Sequence, residues 1–385
     1  MPAYNAADTE LLLSVCRRVL GTAQAVDGIS VESDRWSGLL AAALDHGLIG
    51  PLHSYASKAG GIPENIRGSI RSAALTQAVH NFQLAETLIE ILHSFRDCSV
   101  EVVVLKGPAV ALIAYEQIAT REFIDLDLLV RPEDLSRARA VLGQLGFRQV
   151  SEDPRKLGSE KDIQFIRDID GMLVELHWAL NPPPTRFPIE LTGIWNRLQS
   201  IYFQNEPIRT LALEDTLLTL CIHGSKHDWA SFKWLFDIAG ILKNKGNTLD
   251  CSALLERCKT AGCTRALFVS LRLASTLFAV KPPDAIAMQM TDVSICTLAE
   301  RFKVSLIGNQ PLSQSDLLAY HIQIHDRFWD RLFVAVTMTV HDAPRLLPAA
   351  VSPRITNGPL RFVTRPVRLL QLYGLTWLRT VLMGR

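Results

Sequence analysis

The chain has 385 residues, 48% of them apolar and 21% charged, with a formal net charge of +1 at pH 7. That length admits two or three domains with a sizeable core, and that balance excludes a disordered chain and a dedicated basic nucleic-acid binder. No stretch reaches the roughly 18–20 consecutive apolar residues of a membrane span. Asp8 and Glu10 lie early and no cationic segment precedes an apolar run, so neither a signal peptide nor a transmembrane segment is expected and the location expected is cytoplasmic. The seven cysteines are scattered without a CxxC pair, the pattern of reduced, partly buried thiols rather than of disulfides or zinc.

From Asp8 to Cys98 the apolar residues recur at helical spacing: Leu11, Leu12, Val15 and Val19, then Leu39, Leu40, Ala43 and Leu44, then Ile66 through Leu92. Gly60-Gly61-Ile62-Pro63 punctuates the join between these helices. The period changes at Val100 and Val102–Leu105, a β-branched run that stops at Lys106-Gly107-Pro108 as a buried strand ending in a turn does. Residues 108–118 read as a helix. A second strand runs from Ile124 to Val130, and a helix follows from Pro132 to Gly146. The apolar runs Ile163–Ile166 and Met172–Leu180 flank Asp170-Gly171, the signal of a β-hairpin. Pro182-Pro183-Pro184 breaks whatever follows, and beyond Leu211 the pattern is predominantly helical, with loops at Pro282-Pro283 and Pro344–Pro359. The expected fold is α+β, a mixed sheet with helices. A core over 96–210 is flanked by helical regions at 1–95 and 211–385.

Asp125 and Asp127 are two apart on a strand and therefore share a face, whereas Ile124, Leu126 and Leu128 are expected to point into the core. Two carboxylates a few ångströms apart repel unless a cation joins them, and a hard divalent ion such as Mg²⁺ leaves positions open for phosphate oxygens. Lys106-Gly107 ends the preceding strand, where a glycine lets the backbone approach a phosphate and a lysine meets its charge. Arg121 stands four residues before Asp125, within reach of it or of a phosphate. Glu175 and His177 share a face of the later hairpin. If that strand lies beside the aspartate strand, Glu175 becomes a third carboxylate, able to accept a proton from an attacking hydroxyl.

The stretch VVVLKGPAVALIAYEQIATREFIDLDLLV, then VELHW, then HGSKHDWASFKWLFDIAGIL resembles a bacterial family of uncharacterised nucleotidyltransferases distantly related to DNA polymerase β. The resemblance spans about residues 96–245. It implies a nucleotidyltransferase fold, two Mg²⁺ ions, and attack of an acceptor on the α-phosphate of an NTP with pyrophosphate leaving. Asp125 and Asp127 take the metal-ligand places, Glu175 the third-carboxylate place, and Lys106-Gly107 the place of a Gly-Ser or Gly-Gly phosphate turn. That last position departs from the pattern: a lysine precedes the glycine, no serine follows, and the distance to Asp125 is long.

Within 214–243, one broken helix or two, His223 and His227 are four apart on one face, a spacing that chelates zinc when a third ligand is near. No third ligand stands at suitable spacing. The segment is instead expected to pack over the open face of the core, offering Lys226, His227 and Lys233 to phosphate or base and Trp229 and Trp234 as packing or stacking surfaces. Asp237 is expected to pair with a cation or cap a backbone. Residues 361–385 alternate arginines with apolar groups, the pattern of a domain-closing segment or of a peripheral membrane or partner contact. The activity expected is transfer of a nucleotidyl or related phosphate-linked group to a small molecule, sugar or peptide, with no stable nucleic-acid partner. The alternatives are a nucleotide-binding scaffold that has lost catalysis and a toxin-like transferase acting on tRNA or protein.

Overall fold

The computed structural model describes residues 4–22, 35–150, 162–180, 187 and 191–341. The proline triplet at 182–184, the loops at 344–359 and the basic segment 361–385 lie outside them. Four helices open the chain: α1 (Ala6–Val19), α2 (Trp36–Asp45), α3 (Ile49–Ala56) and α4 (Glu64–Asp97). Asn5 caps α1 through a box with Asp8, each side chain accepting from the other's backbone N–H, which satisfies donors at the helix start.

Then come β1 (Val102–Val104), α5 (Pro108–Tyr115), β2 (Asp125–Val130), α6 (Leu135–Gln144), β3 (Phe147–Gln149), β4 (Asp162–Arg167) and β5 (Met172–His177). A short α7 (Leu191–Trp195) leads to the hairpin β6 (Gln199–Phe203) and β7 (Glu206–Thr210). The remaining described residues are predominantly helical: α8 (Leu213–Lys226), α9 (Phe232–Lys245), α10 (Cys251–Ala261), α11 (Thr264–Phe278), α12 (Asp284–Ala287), α13 (Val293–Gly308), α14 (Gln314–Gln323) and α15 (Phe328–His341). None of the described helices is long and apolar enough to cross a membrane.

The protein is α+β, with one mixed sheet in the order β3-β4-β5-β2-β1-β7-β6. Both central strands and the hairpin around Asp170-Gly171 stand where the apolar periodicity puts them. The short β3 and the β6–β7 hairpin do not show in that periodicity. Gln204 and Asn205 turn the latter with φ of 50° and 70°, the left-handed pair of a two-residue hairpin.

Alternation on the strands divides the sheet into two faces. Val102, Val104, Leu126, Leu128 and Val130 pack with Leu84–Phe95 of α4 and with α6. Val103, Leu105 and Leu129 pack on the opposite side with Ile194, Trp195 and Leu211. Asp125 and Asp127 share the face of Leu129. Ile124 corrects the sequence expectation: it lies just before the strand and is 58% exposed rather than in the core. A second, larger core joins α1–α3 to α8, α9, α11 and α13, so helices from both ends of the chain bury one another.

Candidate active site

β2 and β5 are parallel neighbours, and their register sets Asp127 opposite Glu175 and Leu129 opposite His177. Because β2 and β5 are central, Asp127 is 2% exposed, and so is His177. His177 Nε2 stands 3.1 Å from Asp127 Oδ1 and 3.6 Å from Glu175 Oε2. One ligand atom from each of Asp127, Glu175 and His177 falls within 4.8 Å of the other two, the spacing a metal ion can bridge. Asp125, one pleat earlier on the same face, is half-buried and outside that set.

Lys106 closes the group. Its Nζ lies 2.9 Å from Asp127 Oδ1. Gly107 lets the turn pass close to β2: its φ is +55°, and a Cβ there would stand 3.3 Å from the Asp125 carbonyl oxygen. The three carboxylates differ in their hold on a proton. Burial and then the Asp127 charge raise the Asp125 carboxyl to about 6, against the pull of Lys106. Burial alone would raise Asp127 too, but Lys106 and His177 hold it far below the usual carboxylate range. Glu175 is lowered by its hydrogen bond to His177 against its own burial. Burial opposes the Lys106 charge, yet the Asp127, Asp125 and Glu175 carboxylates together hold its pKa above the usual lysine value.

Two further groups come from β4, and the sequence reading passed over both. Gln164 Nε2 donates to Glu175 Oε1 at 2.8 Å, and Asp162 Oδ2 stands 3.5 Å from His177 Nδ1. β4 pairs antiparallel with β5 across the four-residue turn 168–171, so Asp162 faces His177 and Gln164 faces Glu175, each pair equidistant from the middle of that turn; a two-residue turn at Asp170-Gly171 would have set Gln164 opposite His177 instead.

The histidine–tryptophan segment forms two helices, α8 and α9, hinged at Asp228 and Trp229, whose φ values are 55° and 52°. A pocket of ≈ 60 Å³ between sheet and helix is lined by Lys106 and His177 on one side and His223 and Lys226 on the other. Burial, then the charge of Lys106, drives the His223 pKa well below its usual value. His227 lies against His223 and Trp234, with ring centroids 4.5 and 5.5 Å away. Trp229 is a core residue, its indole N–H donating to Tyr320 Oη at 3.0 Å.

Other sequence candidates lie elsewhere. Arg121 is not paired with Asp125: its Nε donates to Asp237 Oδ2 at 2.9 Å, Tyr115 Oη donates to Asp237 Oδ1 at 3.0 Å, and both members of the ion pair are buried. Asp237 thus pairs with a cation, as expected. Lys233 reaches Glu122 instead of the carboxylate group, Nζ to Oε2 being 3.1 Å.

A family model described as "Uncharacterised nucleotidyltransferase" matches residues 32–279, more than half of the chain. No curated protein matches it. Among solved structures, the solution structure of the antibiotic-resistance factor ANT(2'')-Ia is similar at 16% identity and a TM-score of 0.30, covering 52% of this chain and 95% of that one. A nucleotidyltransferase-like antigenic protein from Paracoccidioides brasiliensis is similar at 16% identity and a TM-score of 0.28, covering 55% and 95%.

Proposed function

The chain belongs to the uncharacterised nucleotidyltransferase family, and from that premise we propose that it is a magnesium-dependent enzyme moving a nucleotidyl group from an NTP to a small-molecule, sugar or peptide acceptor. The observation that carries this reading is the parallel register of β2 and β5, which gathers Asp127, Glu175 and His177 with Asp125 beside them. The donor set fits a divalent cation. It is acidic and largely buried, and burial and the Asp127 charge make Asp125 hold its proton up to about 6. A bound divalent ion would supply the charge that neutralises a triphosphate and eases the departure of pyrophosphate.

The remaining work falls to side chains of the protein. Asp127, Glu175 and His177 would hold the ion, and Asp125 completes the acidic rim. Asp162 behind Nδ1 can accept that nitrogen's proton, which leaves the Nε2 lone pair of His177 facing the ion. Gln164 holds one Glu175 oxygen and leaves the other toward the site. Glu175 is also the group placed to take a proton from an acceptor hydroxyl. Lys106 and Lys226 line the ≈ 60 Å³ pocket, which suits water or an ion rather than a whole nucleotide, and Gly107 follows Lys106 in the turn from which a triphosphate would be met. The nucleotide would therefore lie across the mouth of the pocket, with His227 and Trp234, both in ring contact with His223 of the lining, offering a ring to the base.

Calorimetric titration of the four common NTPs, with and without Mg²⁺, tests this on wild type and on Asp127→Asn. Metal-dependent binding of one NTP, lost in the variant, is the expected outcome. Failure of folded wild type to bind any NTP would sink the reading. Binding that needs no metal and yields no pyrophosphate would favour the non-catalytic nucleotide-binding scaffold, which the departure at Lys106-Gly107 motivates.

A further inference from the structure

We propose, resting on the nucleotidyltransferase reading above, that the Lys106 ammonium occupies one of the two cation places of this site, so that the chain works with a single divalent ion. The Lys106 Nζ is not a surface charge that happens to lie near an acid. It stands 2.9 Å from the Oδ1 of Asp127, a carboxylate with 2% exposure. Its stem rises from a backbone fixed against β2: the Leu105 N–H donates to the Asp127 carbonyl at 3.0 Å, and the next residue, Gly107, packs against the Asp125 carbonyl. The ammonium is thus delivered to the carboxylate group by the same strand end that delivers the phosphate turn.

Charge counting gives the same answer. Asp125, Asp127 and Glu175 carry three negative charges when ionised, and Lys106 carries one positive charge among them. Before a triphosphate binds, one divalent ion brings the group to neutrality, whereas two would leave it with two charges in excess. Lys226 across the pocket and Asp162 behind His177 add one charge of each sign, which leaves that count unchanged. Two divalent ions in one site sit roughly 3.5–4 Å apart. An ammonium already in contact with the buried Asp127 carboxylate competes directly with a second ion for it, by charge and by volume. Lysine serves here as a compact point charge that needs no hydration shell once carboxylate and phosphate oxygens surround it.

The test is electron paramagnetic resonance of Mn²⁺ bound to the full chain, with the α,β-methylene analogue of each common NTP present in turn. The expected wild-type spectrum is that of one isolated Mn²⁺ per chain. In Lys106→Met, which keeps the length of the stem and removes the charge, a second ion enters and the spectrum becomes that of a coupled pair. Lys106→Arg restores the single ion. A coupled pair in wild type overturns the proposal and leaves the nucleotidyltransferase reading standing. So does a single ion of unchanged affinity in Lys106→Met, confirmed as folded by circular dichroism. Absence of bound Mn²⁺ from wild type and variants alike overturns both readings together.

Discussion

The helical body and the sheet site bury charge in opposite ways. In the body three of the four buried carboxylates among the described residues have an arginine, Asp8 with Arg35, Asp237 with Arg121, and Asp215 with both Arg197 and Arg257, and only Asp330 has none. Its buried histidines are held neutral, burial depressing His46 to about 4 and His325 to about 3. In the site, Asp125, Asp127 and Glu175 share one lysine and one histidine. Burying an ion is costly unless it is paired, so the body is the arrangement that stability favours. The site keeps three carboxylates against one lysine and one histidine, an imbalance that the proposed cation would relieve. The contrast can be broken or sharpened at four places.

The largest effect is expected at Asp127. A metal ion contributes several kcal/mol of transition-state stabilisation, so Asp127→Asn is expected to lower kcat by about 10⁴-fold, read as pyrophosphate release. Turnover and Mn²⁺ affinity equal to wild type would show that the acidic group is merely an unpaired cluster, and the contrast would collapse.

Next comes the matched pair in the body. Arg121→Ala leaves Asp237 as an uncompensated buried charge, and a loss of about 3–5 kcal/mol is expected by urea denaturation. The double substitution Arg121→Met with Asp237→Leu is expected to regain most of that loss, because two apolar groups need no partner. A double variant no more stable than the single one would mean that the pair does more than neutralise itself.

A smaller effect comes from His46, 5% exposed and held as a neutral ring. Its folded pKa of about 4 lies below the ordinary 6.5, so between those values the unfolded chain binds a proton that the folded chain refuses. The contribution is therefore present above pH 6.5 and is lost as pH falls toward 4, about 3 kcal/mol in all. His46→Leu is expected to flatten the stability–pH curve by that amount across this window. A curve that keeps its full slope would assign the acid sensitivity to other groups.

What the sequence made legible follows the same division. Asp125, Asp127 and Glu175 were readable because a strand's period of two fixes a shared face, and the Asp170-Gly171 turn announces the hairpin that brings Glu175 back. Asp162 and Gln164 lay one step further, in the register of that hairpin. The partner of Arg121 was not readable. Asp237 is 116 residues away on a helix from the other part of the fold, and no local period links them. The Lys233–Glu122 contact, across 111 residues, escaped for the same reason. Local periodicity places side chains on a face, whereas which faces meet depends on helix packing that only the assembled chain decides.

The smallest effect carries the sharpest sign. Asp125 has its folded pKa raised to about 6, by burial first and by the Asp127 charge second. A group raised in this way contributes stability below about pH 4 and loses it as pH rises through about 6. At pH 8 the ionised Asp125 thus works against the metal-free fold. Asp125→Asn is expected to stabilise the metal-free protein at pH 8 by about 1 kcal/mol, allowing for the partial exposure of the side chain. At pH 5, where wild-type Asp125 keeps most of its proton, the gain should shrink. With saturating Mn²⁺ it should reverse, because the ion then stabilises the carboxylate that the amide cannot replace. Thermal melts at the two pH values, with and without Mn²⁺, check all three statements. An Asn variant less stable than wild type at pH 8 without metal would place Asp125 among the matched charges of the body. A gain that Mn²⁺ cancels would identify it as a residue whose charge opposes the fold until a cation is bound.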